Sequence, residues 1–136
     1  MKRRNEEGKL QEWFALWLRS EGVLFNASMS GVNLGIATAM ARKRMGCQRG
    51  FPDIVIYESR GGFHGMAIEL KVKGGAVQPD QIIWKECLQV RGYWALIMPA
   101  NLEFQQAQEW LEKETRKYLS SGLRDTLEAK KEGVCK

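Results

Sequence analysis

The sequence predicts an α/β fold, a small mixed β-sheet flanked by helices, and three observations predict it. Leu10, Trp13, Phe14, Trp17 and Leu18 repeat at i, i+3, i+4, i+7 and i+8, the apolar stripe of an amphipathic helix. Farther along, Met66, Ile68 and Leu70 alternate with Ala67, Glu69 and Lys71, the period of a strand with two unlike faces. Beyond that strand the pattern becomes helix, strand and helix, an order in which helices cover a sheet.

The first helix is expected over Asn5–Glu21 and stops at Gly22. Val23–Phe25 is a candidate short strand, and Asn26–Gly35, rich in Asn, Ser and Gly, reads as a loop. A short helix follows over Ile36–Met45, then Gly46 and the loop from Cys47 to Pro52. Asp53–Tyr57 is rich in β-branched residues and predicts a buried strand, joined through a Gly61–Gly62 turn to a return strand over Phe63–Val72. After Gly74–Gly75, Pro79 is placed for the first turn of a helix over Pro79–Arg91, whose Gln81, Trp84 and Leu88 share a face. A third strand over Tyr93–Met98 and a last helix over Leu102–Leu119, with Phe104, Ala107 and Leu111 in register, complete the order. One folded domain over residues 1–119 is expected, followed by a polar, weakly patterned tail over residues 120–136 that should be frayed.

Composition bounds the function. A chain of 136 residues with 44% hydrophobic content can bury one core without metals or disulfides. Lys and Arg number 21 against 16 Asp and Glu, a net charge of +5, which suits a protein that approaches polyanions. Cys47, Cys87 and Cys135 are odd in number and far apart, so a disulfide framework and a CxxC metal site are excluded and a reducing cytosol is expected. The basic start Met1–Arg4 precedes an apolar stretch too short for a secretion signal. No run approaches the roughly 18 apolar residues of a membrane span, so a soluble, cytoplasmic protein is expected.

The chemistry centres on Asp53, Glu69 and Lys71. Asp53 opens one strand and Glu69–Leu70–Lys71 lies near the end of its hairpin partner, so pairing across the turn can bring the three together. Two hard carboxylates suit Mg²⁺ or Mn²⁺, a cation that polarises a phosphate and lowers the pKa of a bound water. Lys71 would orient that water or balance charge on the phosphorus, and the Leu70 carbonyl would add an oxygen ligand. Such a set suits phosphodiester cleavage. An ExK tripeptide alone is equally well an ordinary exposed strand face.

The surrounding order of residues carries more weight. Gly50–Phe51–Pro52–Asp53, then Glu69–Leu70–Lys71, then Gln81 resembles the GxPD, ExK and Q series of the VRR-NUC domain, a branch of the PD-(D/E)XK nucleases. Glu7–Gly8–Lys9–Leu10–Gln11 is similar to that family's first-helix pattern, and the resemblance runs from about Glu7 to Leu119. It implies a restriction-endonuclease-like fold, with Asp53 and Glu69 as metal ligands, Lys71 as the catalytic lysine and Gln81 as a helix-borne support. Glu7 is a further candidate ligand, equally explained as a glutamate favoured in a first helical turn. Gly50 would allow close backbone approach and Pro52 would set the path into the strand.

The resemblance further implies a DNA endonuclease that leaves 5′-phosphate and 3′-hydroxyl ends, in a setting mostly bacteriophage and bacterial, where the compartment would be the host cytoplasm. Stand-alone domains of this kind resemble Holliday-junction resolvases, so branched DNA and a homodimer are expected partners. Flap-cutting or nonspecific cleavage, and a catalytically silent DNA-binding module, are the competing readings. Arg42, Lys43, Arg44 and Arg49 precede Asp53, and Lys73 follows Lys71; these are the candidate phosphate-gripping residues. His64 is a lone histidine expected in a strand, Ser28 and Ser30 lack triad partners, and the five tryptophans are expected in the core.

Overall fold

A computed structural model describes residues 2–28 and 35–122. Within the loop expected at Asn26–Gly35, residues 29–34 lie outside the described residues, as do 123–136 of the expected tail. The elements are α1 (Lys2–Ser20), β1 (Phe25–Ala27), α2 (Ile36–Arg44), β2 (Ile54–Ile56), β3 (Met66–Glu69), α3 (Pro79–Val90), β4 (Trp94–Ile97) and α4 (Phe104–Ser120).

The four strands form one sheet in the order β1-β2-β3-β4. β1 and β3 run antiparallel to β2, and β4 runs parallel to β3, so the sheet is mixed as the sequence predicts. A parallel pair needs a crossover, and α3 supplies it between β3 and β4. All three residues of β2 are buried because that strand is central and covered on both faces, which is why Ile54–Val55–Ile56 is continuously apolar.

The α1 stripe behaves as its spacing requires. Leu10, Phe14 and Leu18 are fully buried, and Trp13 and Trp17 pack at their edge. Helix α4 lies alongside and contributes Ala107, Leu111, Thr115 and Tyr118. Together they cover the sheet face that presents Ile54, Ile56, Met66, Ile68 and Leu70. Each such side chain contributes about 1.5–3 kcal/mol by leaving water. The opposite face is thin: Val55, Ala67 and Ala95 are covered by Phe51 and by Leu88 of α3. Phe51 meets Trp84 edge-on at 5.2 Å, which seats the loop before Asp53 against α3.

Several expectations are corrected. β1 begins at Phe25 rather than Val23, and β3 begins at Met66 rather than Phe63. The Gly61–Gly62 turn stands where expected, closed by the Arg60–Phe63 bridge, but the ladder does not run unbroken from it into β2 and β3, and His64 lies between bridge and strand rather than in a strand. Gly65, just before β3, has no room for a side chain: a Cβ there would fall 2.6 Å from the Ile56 carbonyl oxygen. Phe104 is 36% exposed, so the buried stripe of α4 starts at Ala107. Helix α1 begins at Lys2 with no acid in its first turn, which removes the helix-end explanation of Glu7. The described tryptophans are all partly buried, and four of the five edge the main core.

Candidate active site

Backbone register creates the central pair. Ile54 is paired with Ile68, so one step farther along the antiparallel ladder Asp53 lies across from Glu69. Asp53 is held there by the Leu70 N–H, which donates to its Oδ2 at 2.8 Å. Two residues beyond Glu69, Lys71 emerges on the same side by strand alternation. These three polar residues are buried, at 5%, 6% and 5% exposure, which excludes the ordinary exposed strand face.

Gln81 ties the group together from α3. Its Oε1 accepts from Lys71 Nζ at 2.9 Å and from the Gln78 N–H at 2.9 Å, while its Nε2 donates to Glu69 Oε1 at 2.6 Å. Both partners of Oε1 are obligate donors, so the amide can be oriented in only one way. Lys71 Nζ also donates to the Ala76 carbonyl at 3.0 Å and lies 3.8 Å from Glu69 Oε1. Its ammonium is thus held by two acceptors behind the carboxylates, with one N–H left over.

A cleft of about 220 Å³ opens onto Glu7, Asp53, Glu69 and Gln81, with Arg49 and Asp80 at its border. A smaller cavity of about 140 Å³ beside Gly61, Phe63 and Trp94 lies at the other end of β3 and is almost wholly apolar. Burial foremost, and then the charge of Asp53, pushes the Glu69 carboxyl up to about 8, with Lys71 opposing. The Glu7 carboxyl is raised for the same reasons in the same order. Glu7 therefore lines the cleft from α1, near enough to Asp53 to sense its charge.

The fit of a cation can be tested on the donors. Glu69 Oε2 is buried and has no hydrogen-bond partner, an arrangement that costs about 1–3 kcal/mol when left so. Among the described residues, no three His, Cys, Asp or Glu side chains gather closely enough to hold a metal ion by themselves. Two carboxylates are nevertheless hard oxygen donors of the kind Mg²⁺ accepts, because this ion keeps several waters. The residues fit a hard divalent cation.

Gly50 adopts φ +82°, and a Cβ there would fall 2.5 Å from the Asp80 carbonyl carbon. Only glycine allows the loop before Asp53 to lie on the first turn of α3. Pro52 is buried beside it. The basic candidates divide. Arg49 stands at the cleft border 3.6 Å from Asp80, whereas Lys73 is paired with Glu103. Arg42, Lys43 and Arg44 form the last turn of α2.

Sequence reading missed the Ala76 carbonyl and Gln78, and placed Gln11 in the first-helix pattern without giving it a contact. Gln11 Nε2 donates to the Ser28 carbonyl at 3.2 Å, and the Ser28 N–H donates to the Asp53 carbonyl at 2.7 Å, bracing Asp53 from α1. The run Gln78–Pro79–Asp80–Gln81 carried a usable signal, since Pro at N1 and Gln at N3 belong to a capped helix start.

The VRR-NUC domain family model matches residues 1–101, which take in every residue of this cluster and leave α4 outside. No curated protein gave a significant match. A solved structure described as a VRR_NUC domain protein superposes with a TM-score of 0.54 and 27% identity, covering 72% of this chain and 69% of its own. Among the described residues no helix is long and apolar enough to cross a membrane. With the family model matching most of its length and the buried Asp53–Glu69–Lys71–Gln81 cluster lying within the match, this chain belongs to the VRR-NUC domain family of nucleases.

Proposed function

We propose that this chain is a Mg²⁺- or Mn²⁺-dependent DNA endonuclease of the PD-(D/E)XK type, selective for branched DNA. One observation carries the reading: a buried carboxylate pair whose free oxygen lacks a partner, beside a lysine held by a glutamine, in a chain of a nuclease family.

Asp53, Glu69 and the Leu70 carbonyl would hold the cation, with Glu7 as the further acid beside them. When bound, a divalent cation polarises the phosphate and acidifies a water. The chain's own residues do the rest. The Leu70 N–H fixes Asp53 Oδ2, and Gln81 Nε2 fixes Glu69 Oε1, so neither carboxylate must reorganise on binding. Lys71 has a remaining N–H for a phosphate oxygen or the attacking water, and its charge offsets that of the acids. Gln81 is a positioning residue, because it touches Glu69 and Lys71 rather than the reacting atoms. Glu7 Oε1 or Oε2 would accept the proton of the attacking water, its affinity for that proton being raised by burial and Asp53. As the water oxygen bonds to phosphorus the P–O3′ bond would break, and the leaving 3′-oxygen would take a proton from solvent, giving a 3′-hydroxyl and a 5′-phosphate.

A homodimer is part of this reading. Ile83, Cys87 and Val90 lie at i, i+4 and i+7 on the solvent side of α3 and are all exposed, a stripe that suits a second helix. Exposed free thiols at Cys47 and Cys87 suit a reducing, cytoplasmic setting. Purified protein incubated with matched four-way junction, flap and linear duplex, with Mg²⁺, Mn²⁺ or neither, tests the whole. Metal-dependent cleavage favouring the junction is expected, and Lys71→Ala should abolish it. Equal cleavage of all three substrates would reduce the reading to a nonspecific nuclease; binding with no cleavage under any metal would make the chain a silent DNA-binding module.

A further inference from the structure

Helix α2 is anomalous. None of its nine residues is buried, and among the described residues it packs substantially against no other element. A lone helix of that length is marginal in water, so a surface that received its open face would stabilise it. Its own side chains indicate which kind of surface.

At 100° per residue the positions of α2 can be placed around its axis. Ala41 and Arg42 are partly shielded while the other residues from Ile36 to Arg44 are open, so the side toward the body lies near those two. Ile36, Met40 and Lys43 stand opposite, and Ile36 and Met40 are 82% and 57% exposed. Lys43 lies within that outward stripe and Arg44 on one flank of it, whereas Arg42 turns toward the body. The outward profile is therefore an aliphatic strip with a lysine, bordered on one side by a guanidinium group.

Charge decides between occupants. No Asp or Glu occurs between Glu21 and Asp53, while Arg42, Lys43, Arg44 and Arg49 all fall in that interval. A second copy presenting the same face would repel it, and a neutral partner would have to desolvate three cations without compensation. A helix dipole favours cations in a last turn, but it accounts for neither the open Ile36 and Met40 nor Arg49 beyond the helix. Arg49 also joins α2 to the candidate active site, because it borders the cleft that opens on Asp53 and Glu69.

We propose that α2 is a docking helix for duplex DNA, lying along a groove beside the cleaved strand. Lys43 and Arg44 reach backbone phosphates along the groove, and Ile36 and Met40 face the groove floor, where thymine methyls offer an apolar surface. A groove about 12 Å wide accepts one helix in this way. This rests on the nuclease reading above and names the surface that reading leaves open.

The test uses the full chain carrying Lys71→Ala, so that DNA is bound and not cut, with fluorescence anisotropy of a labelled duplex over a series of salt concentrations. Lys43→Gln with Arg44→Gln should weaken binding at least tenfold. It should also lower the slope of log affinity against log salt by about 2, one unit for each phosphate that no longer has a cation beside it. Ile36→Asn with Met40→Asn should weaken binding while leaving the slope as it was. Lys113→Gln with Lys117→Gln removes the same charge from α4 and should leave the slope nearly unchanged. Parental affinity and slope in the Lys43 and Arg44 pair would overturn the proposal, as would an equal loss in the α4 pair. A variant that changes molecular mass by light scattering while DNA affinity stands would also overturn it and assign α2 to a second copy. In each case metal-dependent cleavage by the otherwise unaltered chain would persist, which separates this failure from failure of the nuclease reading.

Discussion

The two faces of the sheet are built for different ends. Among the described residues, the face under α1 and α4 gathers thirteen buried apolar residues, whereas the face under α3 gathers three, Val55, Ala67 and Ala95. The thick face is dry and apolar and carries most of the burial. At the end of the strands, where Asp53 and Glu69 meet α3, the chain instead buries two acids, a lysine and one unpartnered oxygen. Stability is thus concentrated on one side and stored electrostatic tension on the other. Removing polar groups at the site and apolar groups in the core should therefore have opposite consequences.

The largest expected effect breaks function without breaking the fold. Asp53→Asn or Glu69→Gln should lower the single-turnover cleavage rate by about 10³-fold or more. Glu69→Gln should at the same time raise the thermal midpoint near pH 8, since it keeps the acceptor for Gln81 and removes a charge that burial opposes. A fall in the midpoint with the rate would erase the contrast between the two regions. Phe14→Ala in α1 should do the reverse. Urea unfolding should show a loss of about 3–5 kcal/mol, while the folded fraction at low temperature cleaves at close to the parental rate.

Gly50→Ala probes the join between the regions. Its Cβ would meet Asp80 at 2.5 Å with φ at +82°, so a loss of roughly 1–3 kcal/mol in stability is expected together with slower cleavage. Normal rates at normal stability would mean that Asp53 does not depend on the loop resting against α3.

The smallest effect is a pH dependence. Glu69 is raised from 4.5 to about 8 and Glu7 is raised as well, so across that range the folded chain holds protons that the unfolded chain has released. This contribution is fully present below the ordinary carboxylate value and is lost as pH rises through about 8. Without divalent metal the thermal midpoint should fall over that window. Glu69→Gln should flatten the slope, and a midpoint that rises with pH in the parental chain would refute the assignment.

Legibility in the sequence followed the range of the interaction. The α1 stripe, the alternation through β3 and the Pro79 start of α3 were readable because each rests on a local period or one residue's backbone preference. Element ends were less so: β3 begins at Met66 rather than Phe63, just after Gly65, which meets the Ile56 carbonyl, nine residues earlier, too closely for any side chain. Glu7 looked like a helix-end glutamate until α1 was found to begin at Lys2. Lys73 looked free until Glu103, thirty residues on, proved to be its partner.

By itself the sequence determined that Glu69 and Lys71 share a strand face, that a helix with Gln81 near its start follows, and that Gly50, Pro52 and Asp53 stand in the order of a nuclease family. Each of these depends on neighbours in the chain. Only the tertiary structure decided that the pair is buried, that one amide of Gln81 holds both members, and that Glu7 comes close enough to feel Asp53. It also decided that α2 is left uncovered. Those outcomes require elements distant in the chain to meet, and burial, proton affinity and hydrogen-bond partners exist only once they do.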